Sequence, residues 1–170
     1  MALRVDRSPS RRRRLSLGAL VMLSLLLAQF LAGMFVNLYV GIAPSHPGAS
    51  GSPVVGAVLG VGWAMATGGP ALAFHTALGL LLTAGSLALV ATAILAGGRA
   101  LVLSTSVGLL GVLGAGLNGI GFLNYGIDKA TYLMSVGFSV AVAAYVATLF
   151  FAGPPVVRRL EGAEQQTARG

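Results

Sequence analysis

Long uncharged apolar stretches alternate with short polar breaks along this chain. Four stretches carry no charged side chain: residues 15–42, 71–96, 100–125 and 130–152. At about 1.5 Å per residue, a helix of such length crosses the roughly 30 Å hydrocarbon core of a bilayer. Residues 15–157 contain only three charged side chains, namely Arg99, Asp128 and Lys129. The pattern therefore predicts an all-α integral membrane protein with four transmembrane helices.

The connection at residues 43–70 is rich in Pro, Gly and Ser, and its second part, residues 54–67, is apolar but short. This part predicts an interfacial or re-entrant helix, with Trp63 at the headgroup level where indoles are enriched. A fifth span is the alternative. It would move Arg99 to the outer side, against the positive-inside bias, so four spans are favoured. His46, in the same connection, is interpreted as a solvated residue.

The other connections are short. Gly97-Gly98-Arg99 separates the second span from the third, and Gly153-Pro154-Pro155 follows the fourth. Such residues end helices, and short loops make consecutive helices antiparallel neighbours. We therefore expect an up-down helical bundle at residues 15–152, between a basic tail at 1–14 and a second tail at 153–170.

The formal net charge of +7 arises mainly from the chain ends, since six of the eleven basic residues lie in the first fourteen positions. A basic run beside an apolar helix determines topology and contacts anionic headgroups, which argues against nucleic-acid binding. With Arg11–Arg14, Arg99 and Arg158-Arg159 on one side, we predict a multi-pass protein of the cell membrane with cytoplasmic N- and C-termini. Frequent Ala, Gly and Arg, with Lys129 the only lysine, indicate a GC-rich bacterial genome.

Small and polar residues recur every four positions in each span. Because lipid provides little hydrophobic drive for helix association, such stripes indicate where helices meet. The stripes are Gln29, Gly33 and Asn37 in the first span, His75, Gly79 and Thr83 in the second, Gly111, Ala115 and Gly119 in the third, and Thr131, Ser135, Ser139 and Ala143 in the fourth. They predict inward faces that either pack the bundle together or line a cofactor or ligand space, and glycine ridges, such as that of the third span, that bind a partner helix or a second copy.

His75 is the histidine that lies inside a predicted span, near its outer end. Ionisable groups within a span tend to face the bundle interior and are candidates for function. One interpretation is a neutral imidazole hydrogen-bonded to Asn118, Tyr132 or a backbone carbonyl. The other is axial ligation of a b-type haem, with Met134 at matching depth as the second ligand. In that case Gly79 would leave room for the macrocycle.

The segment His75-Thr76-Ala77-Leu78-Gly79, at the outer start of a second helix, resembles one four-helix half of the haem A synthase family. The resemblance covers the four-helix topology and the His-x-x-x-Gly element. It implies a haem ligand at His75. In that family the fourth helix also carries a histidine, and here Met134 or Ser135 stands in its place.

Enzymatic signatures are absent from the sequence. It contains no cysteine, no phosphate-binding glycine loop and no HExxH or GxSxG motif, and no pair of carboxylates lies within the spans. The sequence thus favours a non-catalytic accessory or scaffold subunit of a membrane complex. The alternatives are a haem-binding or redox accessory protein and a small-solute transporter that works as an oligomer.

The predicted topology is tested by reporter fusions at Gly170 and within residues 45–52. We expect the Gly170 fusion to report a cytoplasmic position and the loop fusion an external one, because residues 43–70 contain no Lys or Arg. An external Gly170 would require an odd number of spans and would contradict the four-span topology.

Overall fold

The computed structural model describes residues 9–49 and 52–153, and every regular element in these ranges is an α-helix. The helices are α1 (Pro9–Tyr39), α2 (Pro53–Ala66), α3 (Pro70–Ala96), α4 (Arg99–Tyr125) and α5 (Asp128–Ala152). Four of them, α1, α3, α4 and α5, are long and apolar enough to cross a membrane. The prediction of an all-α membrane protein with four spans is confirmed.

The four long helices form a square in which each contacts two neighbours. α1 packs against α3 and α5, and α4 packs against the same two helices. Among the described residues, the diagonal pairs α1–α4 and α3–α5 have no Cα atoms within 8 Å of each other. Contacts of α1 with α3 run from Gly18 against Leu89 to Gly33 against His75, so the two helices are antiparallel. This is the up-down bundle that the short connections predict.

α2 lies at the end of the bundle where α1 and α4 finish and α3 begins. Its Ala64 is buried with Val36 of α1 and Leu72 of α3. With 14 residues, α2 is about 21 Å long, shorter than the roughly 30 Å hydrocarbon core. It is therefore a short helix beside the spans and not a fifth span. We call this end the capped end and the opposite one the basic end.

At the basic end α1 begins at Pro9. The run Arg11–Arg14, which the sequence placed in the basic tail, therefore belongs to the first turns of this helix. The guanidinium of Arg11 donates to the carbonyl of Leu95, at the end of α3. That of Arg12 donates to the carbonyl of Phe151, at the end of α5, over 3.2 Å. The last carbonyls of a helix lack intrahelical donors, and arginine supplies them. Residues 1–8 and 154–170, including Arg158-Arg159, lie outside the described residues.

α4 and α5 form the most extensive helix contact in the bundle. A Cβ atom added at Gly111 would lie 2.7 Å from the backbone oxygen of Gly137 and 2.7 Å from the backbone nitrogen of Ala141. One added at Gly137 would lie 2.7 Å from the backbone nitrogen of Ala115. The two backbones thus touch, through Gly111 and Ala115 on α4 and through Gly137 and Ala141 on α5. Gly119, next in the α4 stripe, faces Met134.

Substituting Gly111 by Leu should destabilise the protein by about 1–3 kcal/mol, because the new side chain must push the α5 backbone away. Gly114→Leu is the matched control, since a Cβ atom at Gly114 meets nothing within 4 Å. The measurement is the thermal unfolding midpoint in detergent. If both variants unfold at the wild-type temperature, the α4–α5 backbone contact does not hold the bundle together.

Candidate functional site at the capped end

His75 lies on the face of α3 that packs against α1. Its ring covers Gly33, where an added Cβ atom would lie 2.9 Å from the Cε1 atom of His75. The amide nitrogen of Gln29 donates to the Nε2 atom of His75 over 3.4 Å. A Cβ atom at Gly79 would in turn lie 3.4 Å from that amide nitrogen. The structure therefore brings together the predicted stripes of the first two spans, with Gln29 and Gly33 facing His75 and Gly79.

Neither Asn118 nor Tyr132 is the hydrogen-bond partner of His75. The side-chain amide of Asn118 donates to the carbonyl of Gly114 in its own helix over 2.8 Å, and Tyr132 is 72% exposed. Because Gln29 donates to Nε2, the imidazole carries its proton on Nδ1, which has no hydrogen-bond partner among the described residues. Asn37, predicted to share the Gln29 stripe, is exposed and lines a groove at the capped end.

Met134 and His75 belong to different helix contacts. Met134 lies against Gly119, where an added Cβ atom would be 3.4 Å from the methionine sulfur, so it contributes to the α4–α5 contact. His75 contributes to the α1–α3 contact, and its ring rests on Gly33. Haem ligation by His75 and Met134 stays a prediction, and in this structure both side chains serve as packing groups.

The stripe predicted on the fourth span faces away from the bundle. Ser135 and Ser139 are exposed, and their hydroxyls donate to carbonyls of their own helix, those of Thr131 over 3.1 Å and of Ser135 over 2.9 Å. The face of α5 that packs inward carries Gly137, Ala141 and Tyr145 instead. The prediction that Ser135 and Ser139 pack within the bundle is therefore wrong. Glycine permits a closer backbone contact than serine, and Gly137 lies on the opposite side of α5.

A buried polar cluster ties α5 to two helices nearer the basic end. The hydroxyl of Tyr145 donates to that of Ser86 on α3 over 2.8 Å, across the diagonal of the bundle. The hydroxyls of Thr148 and Ser104 on α4 lie 2.9 Å apart. Tyr145 is the largest fully buried side chain of the described residues, and Gly108 leaves room for its ring. These bonds crosslink helices and fill the centre of the bundle.

His46 is buried and not solvated, which corrects its interpretation from the sequence. Its ring stacks on Trp63 with centroids 4.5 Å apart and an interplanar angle of 19°. The N–H of Gly48 donates to Nδ1 over 3.3 Å, so the imidazole proton is on Nε2, which donates to the carbonyl of Leu123 over 3.0 Å. His46 thus joins the connection before α2, α2 itself and the end of α4.

Asn124 makes a second polar link at the capped end. Its side-chain nitrogen donates to the carbonyl of Gly56 in α2 over 2.9 Å. Its side-chain oxygen has no hydrogen-bond partner among the described residues and lies against Gly48 and Gly60. Gly48 and Gly60 are themselves in backbone contact, since a Cβ atom at Gly48 would lie 2.6 Å from the Cα atom of Gly60. Neither position has space for a larger residue.

The sequence contained one signal for this arrangement. Gly56 and Gly60 are four residues apart in α2, the same spacing that marks helix contacts in the spans. Chemically, the cap offers neutral hydrogen-bonding groups held by packing. Among the described residues, no group of three or more His, Cys, Asp or Glu side chains could hold a metal ion. The polar groups at the capped end hold the connection before α2, α2 itself and the end of α4 together, so their role in this geometry is structural.

Substituting His46 by Phe should keep an aromatic ring against Trp63 but leave the carbonyl of Leu123 and the N–H of Gly48 without their partner. We expect a loss of about 1–3 kcal/mol, measured by thermal unfolding in detergent. His46→Gln keeps a donor and an acceptor but not the ring, so it separates the contribution of the hydrogen bonds from that of ring stacking. Wild-type stability of His46→Phe would mean that the ring acts by packing alone.

Comparison with known protein families, curated proteins and solved structures finds no match for this chain. The resemblance to the haem A synthase family therefore rests on the residues around His75 and stays a prediction.

Proposed function

We propose that this protein is a non-catalytic accessory or scaffold subunit of a complex in the cell membrane, with both termini in the cytoplasm. The observation that carries the proposal is that α5 has two ridges of small residues on different faces. One ridge, Gly137 and Ala141, is occupied by α4. The other, Ser135, Ser139 and Ala143, is exposed in the middle part of a membrane-spanning helix.

An exposed ridge of small residues in a membrane is a suitable packing surface for a further transmembrane helix. Lipid chains fill any surface equally well, so the ridge gains nothing from lipid contact itself. A helix that approaches it gains dispersion contacts at short backbone distance and hydrogen bonds from hydroxyls. The α4–α5 contact within this chain uses the same device at the same residue spacing. We infer that the outward face of α5 packs against a transmembrane helix of a second copy or of a partner subunit.

The interior of the bundle favours this role over the alternatives. A transport pathway needs open space between the helices, whereas Tyr145 is fully buried at the centre and hydrogen-bonded to Ser86. A haem needs space beside its ligand, whereas the ring of His75 rests on Gly33. An absorption spectrum of the purified protein tests the haem alternative, because a dithionite-sensitive Soret band would demonstrate that haem is bound.

The proposal is tested by replacing Ser135 and Ser139 together with Leu. Bulky side chains should hold a partner helix away from α5, so the complex seen on native gels of solubilised membranes should become smaller. Because both serines are exposed, the unfolding temperature of the isolated protein should stay near that of the wild type. The matched control replaces Ala84 and Ala88 with Leu, since these residues are exposed at the same spacing on α3 but have no hydroxyls to hydrogen-bond a partner helix. It should leave the complex intact.

A single cysteine identifies the partner, because the chain has no cysteine of its own. Ser139→Cys should form a disulfide between copies in oxidised membranes if the partner is a second copy. A complex of unchanged size in the double Leu variant would contradict the proposal. So would an equal loss in the α3 control.

A further inference from the structure

A shallow and largely open groove lies at the basic end, beside the turn that joins α3 to α4. Its volume is about 480 Å³, and it is lined by Ile94, Gly97, Gly98, Arg99, Val102, Leu103 and Ser106. Gly97 and Gly98 contribute no side chain to fill it. Both have positive φ angles, 66° and 139°, which side-chain-bearing residues rarely adopt. The conformation of the turn thus favours glycine at both positions, and neither residue fills the space beside it.

The two parts of the groove differ in character. Its walls are mostly apolar, and Ile94 and Leu103 are 61% and 67% exposed. At the mouth stands Arg99, which is exposed and has no ion-pair or hydrogen-bond partner among the described residues. The hydroxyl of Ser106 also makes no hydrogen bond within the described part of the chain. Its neighbours Ser104 and Thr105 both donate to the carbonyl of Leu101.

Other positive charges lie at the same end of the bundle, and one of them, Arg11, is close to the groove. The basic end carries Arg11–Arg14 as well as Arg99, and Arg11 is bonded to the carbonyl of Leu95, next to the groove. Asp128, the one acidic residue in the described ranges, begins α5 at the opposite end of the bundle. No carboxylate of the described residues therefore neutralises Arg99. The ligand that complements the groove has an anionic head and an apolar body.

We propose that this groove binds an anionic phospholipid, with the phosphate at Arg99 and an acyl chain along Ile94, Val102 and Leu103. Arginine matches phosphate because its guanidinium donates two hydrogen bonds in parallel. A zwitterionic lipid fits the apolar wall equally well but gains less at the mouth, since its own cation offsets its phosphate. A soluble phosphate compound would have the head contact without the wall. The groove is distinct from the outward ridge of α5, so this proposal does not depend on the proposed function.

The test is native mass spectrometry of the full chain in detergent, titrated with phosphatidylglycerol or phosphatidylcholine of identical acyl chains. We expect phosphatidylglycerol to bind more tightly. Arg99→Gln should weaken its binding about fivefold, the effect of one basic residue near an anionic lipid surface. Arg99→Lys should bind with an affinity between those of the wild type and Arg99→Gln, because it keeps the charge but loses the two parallel hydrogen bonds. Ser106→Leu, which fills the groove, should weaken the binding of both lipids.

Two controls make the result specific to the groove. Arg13→Gln removes one exposed positive charge from the same end, and Ala88→Leu adds the same side chain on α3 outside the groove. Both should bind phosphatidylglycerol like the wild type. Equal affinity for the two lipids, or equal weakening by Arg13→Gln and Arg99→Gln, would overturn the proposal. The proposal would also be overturned if the protein formed dimers without bound lipid and Ser106→Leu dispersed them. A second copy would then occupy the groove.

Discussion

The backbones of α4 and α5 meet at Gly111 and Gly137 with no side chain between them, and the positions of the other helices depend on this contact. In a bilayer, helices gain little from hiding apolar surface from lipid, so close packing must supply the association energy. The contact also fixes the register of α5. That register places Tyr145 over Gly108 and directs its hydroxyl across the bundle to Ser86 of α3. The diagonal helices are linked in this way although their backbones stay apart.

Unsatisfied carbonyls at helix ends impose the second constraint, because the last turn of a helix has no backbone donors to pair with them. At three helix ends a side-chain donor from another segment satisfies such a carbonyl. Arg11 donates to Leu95 at the end of α3, and Arg12 donates to Phe151 at the end of α5. At the capped end, His46 donates to Leu123, near the end of α4. Each donor comes from a segment earlier in the chain, so these bonds also fix where α1 and the connection before α2 lie.

Hydropathy predicted the spans correctly because a segment that crosses lipid must satisfy its backbone internally, and a helix does so. The same sequence could not predict which ridge of α5 faces inward. Ser135 and Ser139 form one series at four-residue spacing, and Gly137 and Ala141 form another, displaced by half a turn. Spacing shows which residues share a face, but the choice of face depends on the partner helix. Here Gly111 of α4 selects Gly137, because only a glycine on each side allows the backbones to touch.

The role of His46 could not be predicted from the sequence, for a different reason. Its acceptor is a backbone carbonyl 77 residues away, at Leu123, and a carbonyl has no sequence signature. Its stacking partner, Trp63, carried a signal of its own, but a tryptophan near a membrane boundary is equally typical of an interfacial anchor. Histidine next to proline in a polar loop is usually solvated. Only the packing of α2 and of the end of α4 against this histidine removes it from water.

The two ends of the bundle together define how it sits in a membrane. α1, with 31 residues, is about 46 Å long, well beyond the roughly 30 Å hydrocarbon core. The excess cannot all lie at the capped end, because there α1 ends at Tyr39 beside the cap that α2 forms with the end of α4. Part of it therefore lies at the basic end, where the first turns of α1 carry Arg11–Arg14. Long arginine side chains keep their charge at the headgroups while their stems remain in apolar surroundings. The arginines that complete the ends of α3 and α5 are thus also those that hold α1 at the membrane boundary.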